Sequence, residues 1–100
     1  MLSLKGDRII LAELGERLRR HRINKQISQE GLAIKAGVSR LMIHRIENGG
    51  NFNMLNLIRI LRVLDLLDQF NLFLPDPGIS PLLIAKTRLK ERKRAPKAVK

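Results

Sequence analysis

The stretch from Ser28 to Gly49, S-Q-E-G-L-A-I-K-A-G-V-S-R-L-M-I-H-R-I-E-N-G, constrains the fold more tightly than any other part of the chain. Ser28 is placed to cap a short helix, and Gln29 and Glu30 fill its first turn. Leu32, Ala33 and Ala36 face inward, and Gly37 ends the helix in the left-handed conformation that glycine adopts at little cost. Ser39 caps a second short helix, which buries Ile43 and Ile46 and stops at Asn48-Gly49-Gly50. Ala33 is small enough for the two helices to cross closely, and Val38 plugs the gap between them. Two short helices joined by so tight a turn leave the outer face of the later one uncovered.

The remaining apolar residues also fall at helical spacing. Leu11, Leu14, Gly15, Leu18 and Arg22 share one face of a helix over roughly Asp7 to Asn24, with Asp7 near its positive end. Asn53 caps a further helix, with Met54, Leu57, Ile58, Leu61 and Leu64 on its inner stripe. A last short helix is expected around Leu67 to Phe73. Strict alternation of apolar and polar residues is absent, so no sheet is expected. The prediction is an all-α, five-helix domain over residues 1–75. Pro75-Asp76-Pro77-Gly78 closes it, because neither helix nor strand continues through two prolines and a glycine. Residues 76–100 form a basic C-terminal extension, a short helix plus a tail. Ser80 caps that helix, Pro81 opens it, and Leu82, Leu83, Ile84, Ala85 and Leu89 give it an apolar side.

Composition narrows the function. The 100 residues carry 20 Lys and Arg against 9 Asp and Glu, a net charge of +11. That surplus calls for a polyanionic partner, nucleic acid or an anionic membrane surface. The extension alone carries 8 Lys and Arg against 2 acidic residues. No cysteine is present, and His21 and His44 lie far apart without clustered carboxylates. Neither a metal site nor an enzyme is expected, and no cofactor is implied. Three Phe are the only aromatic residues, which argues against base-stacking modules. The longest uncharged run, Asn48 to Ile58, is 11 residues, well short of the roughly 18 that a membrane span needs. With no signal-like segment either, a cytoplasmic protein is expected.

The Ser28–Gly49 segment resembles the helix-turn-helix of the phage-repressor, or xenobiotic-response-element, family of bacterial regulators. That family's pattern reads S/T-Q-x-x-L-A-x-x-A/V-G-V-S-x-x-x-I-x-x-x-E-x-G, and the likeness runs over about residues 11–73. It implies a phage-repressor-like fold and a sequence-specific transcriptional repressor bound to a palindromic operator in double-stranded DNA, at sites on the nucleoid. It assigns Gln29 to a phosphate, and Ser39, Arg40, Leu41, His44 and Arg45 to base edges in the major groove. An arginine pairing with guanine O6 and N7 is worth ~1–3 kcal/mol of discrimination, and Leu41 suits a thymine methyl. For His44 the alternative to a base contact is a phosphate contact or solvent. Asn48, Asn51 and Asn53 would hold the backbone, while Arg22 and Glu47 resemble the family's structural ion pair. Two departures stand out. Gly31 replaces a helix former, at about 0.5–1 kcal/mol relative to Ala, and Leu41 with Met42 makes the reading face unusually apolar.

Leu55, Ile60, Val63 and Leu66 fall outside the expected inner stripe. They either pack under the extension or form a homodimer face, as two half-sites one helical turn apart would require. The cluster Arg17, Arg19, Arg20, Arg22 and Lys25 reads as a solvated face that adds a salt-sensitive term to DNA binding. The extension's Pro-Gly-x-Ser-Pro turn, apolar helix and Lys/Arg-rich end resemble the C-terminus of HipB-like antitoxins. That likeness implies a homodimer that represses its own operon and binds a HipA-type serine/threonine kinase toxin. Two alternatives stand beside it: a toxin-holding scaffold with DNA binding secondary, and a stand-alone repressor. A basic helix lying on a membrane leaves the Ser28–Gly49 motif unexplained.

Overall fold

The computed structural model describes residues 4–93, which contain six α-helices, a 3₁₀ turn at Leu67–Gln69 and no strand. The chain divides into two compact units, Met1–Phe70 and Asn71–Lys100. The basic residues Arg94, Lys97 and Lys100, and the tail expected after Ala95, lie outside the described residues.

In the first unit, α1 (Asp7–Asn24) starts after Gly6 without a side-chain cap, and Asp7 occupies its first turn. Ser28 Oγ accepts the Gly31 N–H at 2.9 Å and starts α2 (Gln29–Ala36), which Gly37 closes at φ +73°. Gly31 is therefore a first-turn residue rather than an interior one. A Cβ there would stand 3.1 Å from Ser28 Oγ, so the helix-propensity cost expected of this glycine is not simply recovered by Ala. Ser39 Oγ accepts the Met42 N–H at 3.0 Å and starts α3 (Arg40–Glu47). Asn53 Oδ1 accepts the Asn56 N–H at 2.8 Å and starts α4 (Met54–Val63). Each of these oxygens satisfies a helix-terminal donor that would otherwise have no partner within its helix.

The core lies where α1, α2, α3 and α4 meet. Leu32, Ile43, Ile46, Ile60 and Leu64 are each at most 2% exposed, and Leu18, Ala33, Ala36 and Leu57 complete the cluster. The space between Leu18, Leu32, Ile43 and Ile60 leaves no room for a water molecule. Glycine sets the closest approach: a Cβ on Gly15 would lie 2.1 Å from the Ile46 carbonyl oxygen, so α1 crosses the end of α3 backbone to backbone. Beyond α3, Gly49 at φ +83° brings the loop against Ala12 of α1.

One expectation needs correction. The inner stripe of α4 is Leu57, Ile60 and Leu64, not the stripe that includes Met54. Ile60, assigned to an outer face, is in the core, and Met54, assigned to the core, is half exposed. Seven of the ten positions of α4 are apolar, a stripe too wide for periodicity alone to fix its rotation. The segment expected as a fifth helix is a 3₁₀ turn, Leu67–Gln69, running into the four-residue α5 (Phe70–Phe73). Asp65, in the left-handed conformation at φ +59°, breaks the path from α4, and its carboxylate accepts from Lys25 Nζ at 2.8 Å.

In the second unit, α6 (Pro81–Lys93) is the sixth helix. Ser80 Oγ accepts the Leu83 N–H at 3.1 Å, and proline at the first position gives up no helical hydrogen bond.

Candidate nucleic-acid interface

α3 is divided cleanly by depth. Ile43, Ile46 and Glu47 are buried, whereas Arg40, Leu41, His44, Arg45 and Asn48 are exposed. The exposed set recurs at i, i+1, i+4, i+5 and i+8, which is one face of a helix. That face presents two guanidinium groups, an imidazole and an apolar side chain, Leu41, at 57% exposure. Guanidinium groups supply the forked donors that match guanine or phosphate, and the leucine suits a methyl group. Ser39 sits at the head of the same face, but its oxygen is already committed to capping α3.

The three asparagines differ in what each has left to offer. Asn48 Nδ2 donates to the His44 carbonyl at 2.8 Å, which commits part of its donor capacity to the end of α3. Asn51 Oδ1 accepts from Arg8 Nη1 at 3.0 Å, and Asn53 Oδ1 caps α4. In both of these the oxygen is engaged, so the NH2 is the group a phosphate would meet. Sequence reading missed Arg8: its partner lies 43 residues away, and no local pattern signals the contact.

Behind the exposed face is a buried polar network. Glu47, the last residue of α3, accepts from Arg22 Nε at 2.6 Å on Oε2 and from Arg22 Nη2 at 3.0 Å on Oε1. Arg22 Nη1 donates to the Ile27 carbonyl at 2.9 Å. The side chains of Arg22 and Glu47 are 11% and 2% exposed. A two-pronged pair with satisfied hydrogen bonds is the arrangement in which burying opposite charges is tolerated. Gln29, half-buried at the start of α2, donates its Nε2 N–H to Glu47 Oε1 at 3.0 Å. The residue expected at a phosphate is thus fastened to the ion pair, a link that the motif alone does not reveal.

On the outer surface of α1, Glu16 faces Arg19 and Arg20 at 3.5 and 3.4 Å. Exposed pairs of this kind contribute little to stability. Lys5 Nζ meets Glu13 Oε1 at 2.6 Å and holds that carboxyl below the ordinary carboxylate range. Lys25 does the same to Asp65.

Two helices joined by a turn, the second displaying a cationic face, match a known domain type. A model of the helix-turn-helix domain covers residues 13–69, from within α1 through the 3₁₀ turn. The chain belongs to the helix-turn-helix domain family. No curated protein matches it closely enough to count as a relative. Membership places α2, the turn at Gly37 and α3 at the centre of a DNA-binding domain and supports a role in transcription regulation. Among the described residues no helix is long and apolar enough to cross a membrane. A helix-turn-helix domain with a surplus of positive charge suits nucleic-acid phosphate.

Proposed function

We propose that this protein is a sequence-specific transcriptional repressor that binds a palindromic operator as a homodimer. The observation that carries this reading is the division of α3, in which Ile43, Ile46 and Glu47 anchor the helix and Arg40, Leu41, His44 and Arg45 stand exposed on one face. Gln29 at the head of α2 and Asn51 and Asn53 beyond α3 flank that face in sequence. They supply carboxamide donors for phosphates, while α3 supplies groups for base edges. The dimer is supported by Met54 and Leu55, large apolar side chains on α4 that are half exposed in the single chain. Pairing two copies buries such residues and gives two reading helices, which a two-fold operator needs.

A second element of the reading concerns the extension. The Ser80-capped α6 carries Leu82, Leu83 and Leu89 exposed beside Lys86, Arg88 and Lys90. An apolar helix of this kind supports a protein partner in addition to DNA, and the HipB-like resemblance names a HipA-type kinase as the partner class. Loss of partner capture with intact operator binding after removal of residues 76–100 would support that division of labour. Loss of operator specificity would refute it.

Hydroxyl-radical footprinting on the DNA upstream of the gene tests the main proposal. A dimer reading a palindrome protects two patches separated by about one helical turn, roughly 34–36 Å. Uniform, salt-sensitive protection along the duplex would overturn sequence-specific binding.

A further inference from the structure

We infer that Glu47 is a positioning residue for DNA binding: its carboxylate fixes the Gln29 carboxamide so that one N–H stays available for a backbone phosphate. This inference rests on the DNA-binding reading above. An ionised carboxylate only accepts hydrogen bonds, so the end of the Gln29 amide that meets Glu47 Oε1 at 3.0 Å must be its NH2. That contact sets which way round the amide lies. The NH2 group carries two N–H bonds about 120° apart, and Glu47 uses one. The second leaves the planar amide in a direction that the first determines. A glutamine without such a partner would sample both flips and several rotamers in the free protein, and would lose that freedom on meeting a phosphate.

Glu47 is itself held rigidly. Arg22 grips both of its oxygens from α1, and Arg22 Nη1 is in turn tied to the Ile27 carbonyl, just ahead of the Ser28 cap. Glu47, the last residue of α3, is thus joined directly to Gln29, the first residue of α2, and through Arg22 of α1 to the Ile27 carbonyl ahead of that helix. It therefore sets the phosphate-facing amide in register with the exposed face of α3. Glu47 does not reach the DNA, since its side chain is 2% exposed; it acts through Gln29.

The test is a double-mutant cycle between positions 29 and 47, read as binding to the upstream duplex by fluorescence anisotropy. Single methylphosphonate substitutions along the duplex locate the phosphate involved. Far-UV circular dichroism confirms that each variant is folded at the assay temperature. Gln29→Ala is expected to weaken binding about tenfold, the worth of one hydrogen bond to a charged group, and to erase sensitivity to one methylphosphonate position. Glu47→Gln is expected to weaken binding several-fold in the Gln29 protein and to blunt the same position. In the Gln29→Ala background it should have almost no further effect. Equal losses from Glu47→Gln in both backgrounds would overturn the positioning role and leave Glu47 purely architectural. If Glu47→Gln does not stay folded, Gln29→Asn serves instead. The shorter amide is expected to lose both the Glu47 contact and the methylphosphonate signal, and full sensitivity at that position would refute the proposal. Failure of the wild-type chain to bind any duplex would refute the DNA-binding reading itself, a distinct outcome.

Discussion

Replacing Gly15 with alanine should destabilise the protein, although alanine is the better helix former. In an exposed helix interior the change is worth about 1 kcal/mol in alanine's favour. Here the added Cβ would sit 2.1 Å from the Ile46 carbonyl oxygen and 3.0 Å from that of Glu47, where ordinary contact begins at 3.4 Å. Both obstacles are backbone atoms of α3, so no side chain can swing aside. The crossing of α1 over α3 must open by more than an ångström, which puts the cost at the upper end of overpacking, about 3 kcal/mol. The net loss is then about 2 kcal/mol, or roughly 8–16 °C in Tm for a domain of this size. Urea unfolding followed by circular dichroism measures it, with Gly31→Ala as the comparison. The nearest atom to a Cβ at position 31 is the Ser28 hydroxyl at 3.1 Å, and a change within about 0.5 kcal/mol is expected there. A Gly15→Ala protein more stable than wild type would refute the close crossing.

Two further outcomes follow from the polar contacts. The Asp65 carboxyl is held below the ordinary carboxylate range by the hydrogen bond from Lys25. A carboxyl lowered in the folded state adds stability that is present at neutral pH and lost as pH falls through its own lowered range. Asp65→Asn should therefore flatten the acid limb of Tm plotted from about pH 6 to about pH 3, and an unchanged limb would show that the pair contributes nothing. Arg8, hydrogen-bonded to Asn51, is expected to act at the phosphate backbone. Arg8→Ala should weaken binding to specific and random duplexes alike and reduce the salt slope by about one, whereas loss confined to one duplex would assign Arg8 to base reading.

The caps and turns were legible in the sequence, because a hydroxyl or short amide at a helix start and a glycine at its end act over a few residues. Ser28, Ser39 and Asn53 each cap the helix expected of them, and Gly37 takes its left-handed turn. The rotation of α4 was not legible. Asn56, Arg59 and Arg62 mark its polar side, but seven of its ten positions are apolar, and which of them lies deepest is decided by packing against α2. Likewise, Gly15 reads as one residue of an inner face until α3 is laid against it. The Gln29–Glu47 and Arg8–Asn51 contacts join residues distant in sequence, so only the fold brings them together. The exposed face of α3 was legible because its inward positions, Ile43 and Ile46, are unmistakably apolar.

The reading role of that face is the central claim, and competitive fluorescence anisotropy tests it most directly. The wild-type protein and the Arg40→Ala and Arg45→Ala variants would be titrated on the upstream duplex and a scrambled one at physiological ionic strength. The wild type is expected to prefer the upstream duplex by about 10³ or more. Each variant should lose part of that preference, about 1–3 kcal/mol, while holding random DNA nearly as well. No preference in the wild type, or equal losses on both duplexes, would contradict a base-reading α3.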